Sequence, residues 1–168
     1  LHGGDLTIVA GRPAMGKTTM MQLIANHVAI IQKKPVFIMS GEMPKEQIAM
    51  RLCCAMAPAD IGVLRNAPHK LPKEEFTAYT NAVVMLKNVP MQINDTSRPS
   101  IANIRESIRK TQHQYGLVGA VLVDYLQIMK TTKPFAREDL KIAYFTGELK
   151  AMAKEFNCVI VLLSQLNR

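Results

Sequence analysis

Residues Gly11-Arg12-Pro13-Ala14-Met15-Gly16-Lys17-Thr18 satisfy the pattern G-x-x-x-x-G-K-[ST] at every fixed position. This pattern constrains a fold because it works in only one context: a strand, then a glycine-rich turn, then the start of a helix. The context is present. The apolar run 6–10 predicts a strand just before the loop, and the segment 18–32 predicts a helix just after it. Backbone N–H groups of such a loop point inward at phosphate oxygens, and the helix N-terminus adds the positive end of its dipole. A lysine placed as Lys17 reaches the β- and γ-phosphates, and a hydroxyl placed as Thr18 binds Mg²⁺. The expectation is a nucleoside triphosphate site.

The rest of the chain alternates short apolar runs with longer amphipathic segments. Runs at 36–39, 91–94, 120–123 and 158–163 predict further strands. Segments 44–57, 72–87, 100–115 and 137–157 predict helices, with Ile101, Ile104 and Ile108 on one face of the third. Residues 58–70 carry Pro, Gly and Asn and predict a mixed connection, and 129–136 predict a polar, basic loop. Strands separated by helices imply an α/β fold, a parallel sheet covered by helices on both faces. A length of 168 residues suits one domain. No apolar stretch reaches the roughly 18 residues that a membrane-spanning helix needs, so no membrane association is expected. Cys53, Cys54 and Cys158 show neither metal spacing nor a disulfide framework, which points to buried apolar roles and a reduced, cytoplasmic setting. The net charge of +8 suits a polyanionic partner, but the basic residues are scattered rather than blocked.

In a parallel sheet all strand C-termini open on one edge, where ligands bind. Three polar residues are expected there beside the phosphate loop. Asp124 ends the run 120–123, where a carboxylate can orient a water of the Mg²⁺ shell beside Thr18. Its neighbour Tyr125 is not an acid, so a group that positions attacking water must come from another strand. Glu42 follows the run 36–39 through Ser40 and Gly41. Spacing leaves it two roles, general base toward the γ-phosphate or an acid near the next helix N-terminus. Gln165 ends the last run, as either a γ-phosphate sensor or a polar loop start.

Together these stretches resemble the C-terminal motor domain of DnaB-type replicative helicases, a branch of the RecA-like ATPases. The likeness is carried by Gly11 to Thr19, by Gly41-Glu42-Met43-Pro44 with Gln47 and Arg51, by Val123-Asp124-Tyr125-Leu126-Gln127, and by Leu163-Ser164-Gln165-Leu166-Asn167-Arg168. These appear in family order and span nearly the whole chain. The resemblance implies a RecA-like P-loop NTPase core over residues 1–168, truncated at its C-terminal side. It implies ATP and Mg²⁺ as cofactors. Gly11, Arg12, Pro13, Ala14, Met15, Gly16, Lys17, Thr18 and Thr19 would then bind nucleotide, and Thr18 and Asp124 the metal. Glu42, Lys17 and Gln165 would be the catalytic set, with Glu42 matching the family's glutamate and Gln165 the glutamine that couples nucleotide state to DNA contact.

The resemblance further implies ATP-driven translocation on single-stranded or forked DNA, self-association into a ring, a hexamer, and contact with primase or a helicase loader through segments outside this chain. The DNA loops and arginine finger of the family would lie past Arg168, so the chain alone is expected to hydrolyse ATP weakly. One departure is Gly41, where the family commonly has a larger apolar residue. Two rival readings share the phosphate loop. A non-helicase RecA-like ATPase, serving recombination or nucleotide-gated assembly, does not account for the Asp-Tyr-Leu-Gln and Ser-Gln-Leu-Asn-Arg pair. A small-molecule phosphotransferase needs an acceptor pocket and a lid, for which the sequence offers no sign. His2, His27, His69 and His113 are scattered without ligand spacing and are expected as surface or packing residues rather than catalytic ones. The 11 methionines are expected to fill the core. Lys130, Lys133 and Arg137 are expected on a solvated loop, the alternative being contact with DNA phosphates or a neighbouring subunit, and Asp95 is expected in a turn.

Overall fold

A computed structural model describes residues 2–57, 59–124, 126–131 and 133–166. Tyr125, Asn167 and Arg168 of the motifs above lie outside the described residues, as does the opening Leu1. Five strands form one sheet: β1 (Leu6–Gly11), β2 (Val36–Ser40), β3 (Met91–Asn94), β4 (Ala120–Asp124) and β5 (Val159–Gln165). Every pairing among them is parallel, in the order β1-β5-β4-β2-β3. Strands β2 and β4 are buried at every residue, which is why they read as continuous apolar runs rather than alternating ones. β1 pairs on one side only among the described residues, and its Ile8 is 49% exposed.

The helices divide between the two faces. On one face, α1 (Lys17–Asn26) and α2 (Lys45–Met56) bury Met21, Ala25, Ile48 and Leu52 against Ile38, Leu122 and Val161. On the other, α5 (Ile101–Tyr115) and α6 (Glu138–Glu155) bury Ile104, Ile108, Phe145, Leu149 and Met152 against Phe37, Val121 and Ile160. α4 (Lys73–Lys87) lies outside α2 and closes a small cluster of Cys53, Ala57 and Ala82. The helices that follow β1 and β4 therefore leave on opposite faces, and a crevice opens between them at the strand C-termini.

Several local expectations need correction. The helical segment expected over 18–32 runs from Lys17 to Ile31, but its last five residues, His27–Ile31, form a π-helical turn. The connection after α2 contains a helix of its own, α3 (Ile61–Asn66), capped by the Asp60 carboxylate accepting from Val63 N at 2.9 Å, and then a 3₁₀ turn at Pro68–Lys70. Asp95 does not serve its own turn. It accepts from Lys45 N at 3.1 Å and so caps α2, while Asn94 takes the turn by accepting from Thr96 N at 2.9 Å. The methionines are split: Met21, Met39 and Met152 are core, whereas Met15, Met20 and Met85 are at least half exposed.

Candidate nucleotide site

The loop between β1 and α1 is an exposed turn over 12–16 followed by half-buried Lys17 and Thr18. Gly16 sits at φ +77° and opens α1 without a side-chain cap. A Cβ at this position would meet nothing within 4 Å, so the left-handed backbone rather than space requires glycine. Ala14 is also left-handed, at φ +62°, a conformation costing an L-residue about 1–2 kcal/mol. The Lys17 ammonium turns back on its own loop and donates to Gly11 O and Arg12 O, both at 2.8 Å. Pro13, Met15 and Thr19 are exposed beside it, as is the Arg12 side chain.

Asp124, 5% exposed at the end of β4, accepts from the Thr18 hydroxyl at 3.3 Å. Burial pushes its carboxyl above the usual carboxylate range, and the charge of Glu42 adds to this; the Thr18 hydroxyl and Lys17 oppose it. Glu42 thus lies within electrostatic reach of Asp124. The register explains why: Ser40 pairs with Asp124, and Gly41 N donates to Asp124 O at 2.9 Å. Glu42, one residue on, is exposed at the same edge, with the turn held by Ser40 Oγ, which accepts from Met43 N at 3.2 Å. At the other side of the crevice Gln165 pairs with Gly11 in the β1–β5 ladder. The structure therefore brings Lys17, Thr18, Glu42, Asp124 and Gln165 to one edge.

These residues fit a Mg²⁺–triphosphate. Asp124 is a buried carboxylate with a raised pKa against a hydroxyl, a donor pair that a divalent cation would relieve. No group of three or more His, Cys, Asp or Glu able to hold a metal occurs among the described residues. Mg²⁺ suits such a sparse set, because it keeps waters and takes further oxygens from phosphates. A groove of about 950 Å³ opens elsewhere, lined by Met20, Leu23, His27, Lys34 and Leu117 with Ala120 and Val159 at the starts of β4 and β5. It lies at the opposite edge of the sheet and holds none of the residues above. Of the basic loop, Arg137 is paired with Asp139 at 2.6 Å, and Lys133 stands 4.4 Å over the Tyr144 ring.

Sequence reasoning missed one participant. The Gln127 amide, in the 3₁₀ turn Leu126–Ile128, donates to Gln165 O at 2.8 Å and to Ser164 Oγ at 3.1 Å, and accepts from Gln165 N at 3.2 Å. The residue was visible as part of a motif; its partner, 38 positions away, was not.

The family described as the DnaB-like helicase C-terminal domain matches residues 1–168. The chain belongs to this family. Among curated relatives, a replicative DNA helicase DnaB of Synechocystis sp. is 39% identical over all of this chain and 19% of its own length. The corresponding Haemophilus influenzae protein is 37% identical over all of this chain and 36% of its own. The chain thus spans about a fifth to a third of the curated DnaB relatives it matches. Among solved structures, an ATPase domain superposes with a TM-score of 0.92 at 25% identity, over all of this chain and 59% of that one. A DnaB-like replicative helicase, solved together with a study of its interactions with primase, gives 0.89 at 24% identity, over 99% of this chain and 40% of that one, and speaks for the fold. The parallel sheet with helices on both faces is accordingly the RecA-like ATPase fold of DnaB-like helicases.

Proposed function

We propose that this chain is the ATP-hydrolysing motor domain of a replicative DNA helicase, working as a ring, a hexamer, on single-stranded or forked DNA. The supporting observation is the convergence of Lys17, Thr18, Glu42, Asp124 and Gln165 on one sheet edge in a chain of the DnaB-like family. ATP with Mg²⁺, when bound, supplies the anhydride to be cleaved and the cation that neutralises its charge. The residues of the chain do the rest. Loop amides from Gly11 to Thr19 and the N-terminus of α1 hold anionic charge. Lys17 presents its ammonium from the base of the loop. Thr18, through its hydroxyl, and Asp124, through its carboxylate, would hold the metal. Glu42, exposed in the crevice, orients a water and accepts its proton. Gln165, at the end of β5, registers the state of the site and passes it to the segment that follows.

DNA, a primase and a helicase loader are the proposed partners. The primase proposal leans on the structural relative described with that interaction. No described helix is long and apolar enough to cross a membrane, and a cytoplasmic setting is proposed.

The test is a pair of substitutions in the intact protein. Glu42→Gln is expected to keep ATP affinity while turnover falls by about 10²–10⁴-fold, the usual worth of a general base. Near wild-type turnover in that variant would remove Glu42 from the mechanism. Lys17→Ala is expected to weaken ATP binding itself, and unchanged affinity would refute the phosphate-loop assignment. A strand-displacement assay separates the helicase from a non-helicase RecA-like ATPase: ATP turnover without unwinding by the intact protein would favour the latter.

A further inference from the structure

Beyond Val123 and Leu162 the β4–β5 ladder stops, because the chain after Asp124 turns into the 3₁₀ segment while β5 runs on to Gln165. The last residues of β5 pair with β1 alone, Ala10 with Ser164 and Gly11 with Gln165. On the side that β4 has vacated, a side chain takes the place of the missing strand. The primary amide of Gln127 meets both main-chain groups of Gln165, accepting its N–H at 3.2 Å and donating to its C=O at 2.8 Å. The second amide hydrogen goes to Ser164 Oγ at 3.1 Å. Only one orientation of the amide satisfies all three contacts, since a flipped group would set N–H against N–H.

The other flank of Gln165 is tied as well. Leu166 N donates to Gly11 O at 3.1 Å, and the same carbonyl receives the Lys17 ammonium at 2.8 Å. The backbone around Gln165 is thus held between Gln127 and the first carbonyl of the phosphate loop.

We propose that Gln127 is a positioning residue: its amide replaces the ended β4 ladder and sets the main chain of Gln165, and with it the direction in which the Gln165 side chain enters the nucleotide crevice. This rests on the role proposed above for Gln165. Without Gln127 the last turn of β5 is anchored on one side only. The Gln165 side chain then samples the crevice loosely, while Lys17, Thr18 and Asp124 stay in place.

The test compares Gln127→Leu and Gln127→Glu with wild type in the intact protein. Leucine keeps the approximate size and loses all three contacts. Glutamate keeps the acceptor for Gln165 N and sets a carboxylate against Gln165 O. Amide hydrogen exchange without nucleotide is the first readout. Two lost hydrogen bonds are expected to cost the Gln165 amide at least about tenfold protection in the leucine variant, with Val161 and Leu162 unchanged and glutamate in between. Wild-type exchange at Gln165 in the leucine variant overturns the proposal. In steady state, kcat is expected to fall about tenfold or more with KM within about twofold. The double variant Gln127→Leu/Gln165→Ala should be no slower than Gln165→Ala alone, because the two act through one group. Additive losses would show that Gln127 acts otherwise and would overturn the proposal. If Gln165→Ala leaves turnover intact, the sensor role of Gln165 fails, and the exchange result alone decides whether Gln127 sets that backbone.

Discussion

Asp124 holds a carboxylate where the fold disfavours charge. Burial, then the nearby Glu42, raises its pKa against the relief given by Thr18 and Lys17. A raised carboxyl contributes stability that is complete below the unfolded value of 3.8 and is lost as pH rises through the folded value. Above that folded value the ionised Asp124 is therefore a cost to the fold. Asp124→Asn is expected to raise Tm at about pH 7 in the presence of a chelator, with the gain narrowing toward about pH 4. Added Mg²⁺ and ATP should then stabilise wild type more than the variant. A Tm for the variant that is lower, and equally lower at both pH values, would contradict this account. The thiols pose no such conflict: burial pushes Cys53 and Cys158 up to about 11, so both remain neutral in the core. At this scale the residue types of the site were legible, and so was the placement of Asp124 beside Thr18; other pairings were not. Lys17, Thr18 and Asp124 follow from the loop pattern and a strand-end acid. The Gln127 amide on Gln165 and the left-handed Ala14 have no local signature, because each depends on where a distant segment or the loop as a whole is held.

The amphipathic period of 101–115 located α5, and its start is fixed by chemistry that a short pattern also encodes. The Ser100 hydroxyl accepts from Asn103 N at 3.2 Å, and the Asn103 carbonyl oxygen accepts from Ser100 N at 3.0 Å, a reciprocal cap. Ser100→Ala is expected to cost about 1 kcal/mol, which for a domain of this size lowers Tm by roughly 2–4 °C in thermal unfolding. No change would mean that packing of Ile101 and Ile104 alone holds that end. α2 is a different case. Its first residue, Lys45, donates its N–H to Asp95 at the end of β3, so its cap comes from a neighbouring strand 50 positions on. α3 was missed for a related reason: six residues carry little periodicity, and what holds them is the Asp60 cap and the adjoining α2. The π-helical turn at His27–Ile31 has no sequence signature that distinguishes it from a continued α-helix.

The whole molecule carries a net charge of +8. If the intact protein binds single-stranded DNA through phosphates, affinity should fall steeply and uniformly with salt. With 6–10 phosphate contacts on a single strand the loss between 50 and 200 mM is about 10²–10⁴-fold. Fluorescence anisotropy on two unrelated oligonucleotides measures this, and a flat salt dependence or a strong sequence preference would count against the proposed partner. Sequence by itself determined that a glycine-rich loop joins β1 to α1, that the sheet is parallel, and that Asp124, Glu42 and Gln165 stand at strand ends. Those properties reside in neighbouring residues and in periodicity, and in a parallel sheet they bring every strand C-terminus to one edge. Tertiary structure alone decided the strand order, with β5 set between the loop strand and β4. It also decided that Gln127 closes the gap where β4 ends. Each buried strand is an equally apolar run, so no local pattern says which will be its neighbour. That choice is made by the packing of helices on two faces and by hydrogen bonds between residues far apart in the chain.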